Sequence, residues 1–119
     1  MQIKPEIKEK IVLALDVDDI EQAKLLITEL SDYVGVFKVG LQLFTGNGLE
    51  ILNFMNERNV KYFFDIKLHD IPNTVAKASE NVIRNGATFF NVHTTGGEEM
   101  MRAASEAARK TAKELGRDN

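Results

Sequence analysis

The chain has 119 residues, enough for one domain that buries roughly two-thirds of its unfolded surface. Its 44% hydrophobic and 28% charged residues are ordinary for a soluble globular protein, and a net charge of −3 offers no electrostatic footprint for nucleic acid or an anionic membrane. No apolar run approaches the ~18 residues of a membrane span, residues 1–10 are too charged for a signal peptide, and the lack of cysteine excludes disulfides and thiolate metal sites while fitting a cytoplasmic location.

Strand and helix patterns alternate four times along the chain. The apolar run Ile11-Val12-Leu13-Ala14-Leu15 predicts a first strand that ends at Asp16. Asp18 followed by Glu21 resembles a capping box, and Ile20, Ala23, Ile27 and Leu30 follow at helical spacing. Gly35-Val36-Phe37-Lys38-Val39 predicts the second strand, ending at Gly40. Asn47-Gly48-Leu49-Glu50 repeats the cap-and-acid signature, with Leu49, Leu52 and Met55 as the buried stripe of the next helix.

Residues 60–64 form the third apolar run. They lead into Asp65-Ile66-Lys67-Leu68-His69-Asp70-Ile71-Pro72. Pro72 suits the first turn of a helix, Val75, Ser79 and Val82 give its inward stripe, and Asn85-Gly86 is a stop signal. Thr88-Phe89-Phe90-Asn91-Val92 predicts the fourth strand, ending at His93. A last helix spans about residues 97–115, with Met100, Ala104, Ala107 and Leu115 inward and Arg109, Lys110 and Lys113 near its C-terminus, where the helix dipole favours cations. Phe63, Phe64, Phe89 and Phe90 read as core.

Four such units imply right-handed parallel βαβ connections in an α/β fold. A small doubly wound sheet and half of an eight-stranded barrel both accommodate them. In either, ligands bind at the carboxyl ends of the strands. Each predicted strand has a polar residue there: Asp16, Lys38, Asp65 with Lys67, and His93.

The third strand is the most informative. A strand buried on both faces is a near-continuous apolar run, and charges inside one are expensive unless paired or used. Strand alternation puts Asp65 and Lys67 on one face, about 7 Å apart, and Asp70 follows before the helix. The bland alternative is an ion-pair network tying strand end to helix start. Asp65, Asp70 and His93 have the chemistry to ligate a divalent metal, but the Lys67 ammonium takes the space a cation needs, so no metal site is expected. His93 reads as a hydrogen-bonded structural residue, His69 as structural or interfacial, and Thr94-Thr95-Gly96-Gly97 as a strand-to-helix turn.

Taken together, Leu13-Ala14-Leu15-Asp16, Phe37-Lys38-Val39-Gly40, Phe64-Asp65-Ile66-Lys67-Leu68-His69-Asp70-Ile71-Pro72 and Asn91-Val92-His93 resemble the orotidine 5′-phosphate decarboxylases, cofactor-free enzymes that make UMP. Asn73-Thr74-Val75 and Thr95-Gly96-Gly97 extend the similarity. The Asp-x-Lys-x-x-Asp core is shared with sugar-phosphate decarboxylases and aldolases. Leu-His-Asp-Ile-Pro is more particular to the orotidylate branch.

The resemblance implies a (βα)8 TIM-barrel fold of which this chain, as one domain over residues 1–119, supplies about four βα units. The other half normally carries a serine that reads the pyrimidine and a glutamine and arginine that grip the phosphate. It also implies roles. Asp65 would sit against the substrate carboxylate, and Lys67 would protonate the C6 carbanion after CO₂ departs. Asp16 and Lys38 would hold ribose hydroxyls, with Lys38 also bonded to the carboxylates. Asp70 would come from the neighbouring subunit of a homodimer, with Ile71 and Thr74 crossing the same interface. No metal or organic cofactor is implied.

Fixed charges need little reorganisation in the transition state, which is the source of electrostatic catalysis. Two carboxylates ~4 Å apart repel by roughly 4 kcal/mol at an effective dielectric near 20, and loss of CO₂ relieves that. Other readings stay open from the residues. One is a Mg²⁺-dependent keto-gulonate-phosphate decarboxylase or hexulose-phosphate synthase. Another is a signalling receiver domain, though no fifth strand with its lysine follows. A third is a non-catalytic half-barrel that folds only on association, because open edges and an open apolar face favour pairing.

Overall fold

The structure is a computed structural model, and it describes residues 2–117. In chain order the elements are α1 (Pro5–Lys8), β1 (Val12–Ala14), α2 (Ile20–Leu30), β2 (Val36–Gly40), α3 (Leu41–Asn47), α4 (Glu50–Glu57), β3 (Tyr62–Leu68), α5 (Pro72–Arg84), β4 (Phe89–Val92), a 3-10 turn (Thr94–Gly96) and α6 (Glu98–Glu114). No described helix is long and apolar enough to cross a membrane. The elements form two compact units, one up to Asp65 and one from Ile66 onward.

In the first unit β1 pairs in parallel with β2, Val12 opposite Val36 and Ala14 opposite Lys38. β2 pairs in parallel with the start of β3, from Phe37 opposite Tyr62 to Gly40 opposite Asp65. β2 is buried on both faces except at Lys38, the signature of a central parallel strand. Leu15, Phe37, Val39, Tyr62 and, from the helices, Ala23, Ile27, Leu43, Ile51, Leu52 and Met55 make the core. β1 is the open edge, and Val12 is half exposed.

The sequence reading of the helix starts needs two corrections. Asp19, not Asp18, caps α2: its carboxylate accepts from the Glu21 N–H at 2.9 Å. Asp18 instead accepts from the Gln42 side chain on α3 at 2.9 Å. Asn47-Gly48 is a stop rather than a start. It closes α3, a helix the sequence reading leaves out. The Asn47 amide donates back to the Leu43 carbonyl, and Gly48 takes φ 57° with ψ −134°, a conformation that favours glycine. α4 then begins without a side-chain cap, with Ile51, Leu52 and Met55 buried and Leu49 exposed.

In the second unit the end of β3 adjoins β4, with the His93 N–H donating to the Leu68 carbonyl at 3.0 Å. α5 starts at Pro72 as the sequence predicts. Val75, Met100 and Ala104 form the centre of an α5–α6 core, bordered by Leu68, Val92 and Met101. Ser79 is buried with them because its hydroxyl donates to the Val75 carbonyl at 2.7 Å. Beyond the α5 C-terminus, the Arg117 guanidinium donates to the Ile83 and Ala87 carbonyls at 2.9 and 2.7 Å.

Like Leu49, two more expected core positions lie outward. Leu115 follows the last turn of α6 and is exposed, while Thr111 and Ala112 take the inward places. Phe64 is buried, but Phe63 and Phe90 are partly buried and Phe89 is exposed. Phe89 opens β4, the strand at the end of the strand order.

Candidate active site

The carboxyl ends of the first unit's strands carry a branched ion pair. Lys38 projects from the middle of β2. Its Nζ lies 3.2 Å from Asp16 Oδ1, just past β1, and 3.5 Å from Asp65 Oδ2 on β3. The three positions differ in depth: the Asp65 side chain is nearly buried at 11% exposed, Lys38 is intermediate, and Asp16 is half open. Gly40 ends β2 beside them, and an added Cβ there would touch Asp16 Oδ1 and Lys38 Nζ at 3.6 Å. Desolvation offsets much of the attraction within such a cluster, so it is a poor device for stability. It is a good one for presenting fixed charge to a polar ligand.

Within the second unit lie Lys67, His69, Asp70 and His93. Lys67 has φ 50°, whereas the alternation used to read this strand assumes extended backbone throughout. The regular face-to-face alternation therefore stops at Lys67, whose side chain is exposed. The left-handed conformation costs a residue with a Cβ about 1–2 kcal/mol. Asn59 is the other described non-glycine residue with positive φ, and asparagine tolerates it better. The Lys67 N–H donates to the side-chain oxygen of Asn91 on β4 at 2.9 Å.

Asp70 Oδ1 accepts from the following N–H, that of Ile71, at 2.7 Å, just ahead of α5. Ile71 is 65% exposed, unusual for a large apolar side chain, and Thr74 is exposed one turn on. The His69 and His93 rings are tilted at 46° with centroids 5.5 Å apart. Gly97 starts α6 with φ 96°, which favours glycine, and Gly96 is packed directly against Met100. Asn91 and Gly40 carry no expected role from the sequence. Only a polar residue inside the fourth apolar run hinted at the first.

A cavity of about 960 Å³ lies elsewhere in the first unit, lined by Lys8, Tyr33, Gly35, Arg58 and Lys61 among others. These residues precede β1, β2 and β3, at the amino ends of the strands. In parallel α/β folds that end carries stability and the other carries chemistry.

Residues 9–116 match the family model described as orotidine 5′-phosphate decarboxylase / HUMPS family. The chain is 44% identical over 115 residues to the orotidine 5′-phosphate decarboxylase of Moorella thermoacetica, covering 97% of this chain and 46% of that protein. It is 47% identical over 108 residues to the enzyme of the same name from Syntrophomonas wolfei, covering 91% of this chain and 45% of that one. The crystal structure of orotidine 5′-phosphate decarboxylase from Pyrococcus horikoshii superposes with a TM-score of 0.75 at 37% identity, covering 82% of this chain and 47% of the other. The chain thus spans a little under half the length of these relatives and matches about half of their TIM barrel.

Proposed function

The chain belongs to the orotidine 5′-phosphate decarboxylase / HUMPS family, and on that premise we propose that it carries one half of a machinery for decarboxylating orotidine 5′-monophosphate to UMP in the cytoplasm. The single observation that carries this reading is the branched Asp16–Lys38–Asp65 ion pair at the carboxyl ends of the strands. Asp65, held nearly buried, presses its charge on the departing carboxylate. Lys67 stabilises the C6 carbanion left behind and then transfers its proton to C6. Asp16 and Lys38 hold the ribose hydroxyls, Lys38 also fixing the acid beside it.

Asp70 completes the array for the neighbouring subunit of a homodimer, with Ile71 and Thr74 lying across the same interface. The high exposure of Ile71 supports a contact surface there. The reaction uses no metal or organic cofactor. A second half-barrel supplies the phosphate and pyrimidine contacts, so the 119 residues alone are inactive.

The test is conversion of orotidylate to UMP, with and without Mg²⁺, by the chain alone and after co-expression with the carboxyl-terminal half of the Moorella thermoacetica relative. Metal-independent activity on mixing alone is expected. No UMP from any mixture would refute the orotidylate reading. Mg²⁺-dependent turnover of a sugar phosphate would move the chain to the other branch of its family.

A further inference from the structure

We infer that Asn91 is a positioning residue, whose side-chain oxygen holds the Lys67 backbone in the left-handed conformation that aims its ammonium. The inference rests on the role proposed for Lys67, but its geometry stands apart from that role. At Lys67 the N–H goes to a side chain, Asn91 Oδ1, at 2.9 Å. One residue later backbone pairing is in place, since the Leu68 carbonyl accepts from the His93 N–H at 3.0 Å. The Asn91 side chain therefore serves the N–H at the one position where β3 turns out of extended geometry.

Residue choice points the same way. Glycine would adopt φ 50° freely, and asparagine does so at Asn59. A lysine here accepts strained backbone to place an amine. Strained residues of this kind persist only where their surroundings over-determine them. Asn91 is such a determinant, and it lies on a different strand from the residue it orients. An aspartate at the position keeps an acceptor oxygen, and a leucine keeps the bulk without one.

Amide hydrogen exchange and the Cα chemical shift of Lys67 in the full chain test this directly, in Asn91→Asp, Asn91→Leu and Asn91→Ala. We expect Lys67 exchange to rise about tenfold in the alanine and leucine variants, the factor carried by one hydrogen bond, while the His93 amide stays protected. Asn91→Asp should keep Lys67 near its original rate and shift. Should alanine loosen β4 as a whole, leucine supplies the folded comparison. Unchanged Lys67 exchange in Asn91→Leu would overturn the inference.

In the chain paired with a second half, Asn91→Leu should lower kcat about tenfold with KM within about twofold, and Asn91→Asp should restore it. An altered Lys67 amide with no orotidylate turnover in any protein, the unsubstituted one included, would uphold the positioning and sink the decarboxylase reading alone.

Discussion

Gly35 and Gly40 bracket β2, and their surroundings differ in kind. At Gly35 an added Cβ would lie 2.5 Å from the Lys8 carbonyl oxygen and 2.8 Å from Glu9 Cα, so the backbone after α1 sits directly on this residue. At Gly40 it would meet Asp16 Oδ1 and Lys38 Nζ at 3.6 Å, ordinary contact distance, and the backbone φ of −102° suits any residue. One end of the strand is closed by backbone packing. The other is lined by side-chain charge. Stability and function should therefore separate along a single β-strand.

Substitutions can break or sharpen that separation. The largest effect is expected at the functional end of the neighbouring strand. Lys67→Ala should lower orotidylate decarboxylation by about 10³-fold or more in the chain paired with a second half, the scale of combined electrostatic and acid catalysis. Its urea midpoint should hardly move, because the side chain is exposed. Near-normal turnover would remove Lys67 from the mechanism.

Gly35→Ala comes next and acts in the opposite sense. Forcing a methyl into rigid backbone should cost about 1–3 kcal/mol, read as a lower urea midpoint, with turnover per folded molecule intact. Gly40→Ala should leave stability within about 0.5 kcal/mol while raising KM several-fold, since the methyl rests against Asp16 Oδ1 and Lys38 Nζ and takes space beside the charges a ligand would use. If Gly40→Ala unfolds the chain and Gly35→Ala does not, stability and function do not separate along β2.

The smallest effect lies away from both ends of β2. Lys24 on α2 pairs with Glu50 at the start of α4 at 2.8 Å and with Glu21 at 3.2 Å. The hydrogen bond to Glu50, then that to Glu21, raises the Lys24 pKa above its ordinary 10.5. A raised folded-state value means the pairing stabilises fully below pH 10.5 and loses its effect as pH climbs through the folded value. Denaturation midpoints on either side of that range should show a slight alkaline loss that Lys24→Met abolishes. An equal loss in the variant would assign the alkaline effect elsewhere.

Much of the architecture was legible because it is written in local periodicity. Val75, Ser79 and Val82 fall on one helical face and are buried, and Pro72 opens α5 where its missing N–H costs nothing. Polar residues closing apolar runs located Asp16, Lys38 and Asp65, and the structure joins these three in one cluster. Asn-Gly proved ambiguous. After Arg84 it ends a helix as read, but Asn47-Gly48 also ends one, because the preceding Leu41–Asn47 segment is helical and its apolar residues are too few to announce a stripe.

Short-range pattern thus determined the strand-helix alternation, the inward faces of the longer helices and the residue types gathered where strands end. Tertiary structure alone decided that Lys67 leaves extended geometry, that Asn91, twenty-four positions away, serves its N–H, and that Gly35 must lack a side chain. Periodicity reflects which side of an element meets the core, a property each segment carries by itself. A hydrogen bond or close approach between distant segments depends on both partners arriving together, and neither stretch of sequence encodes that alone.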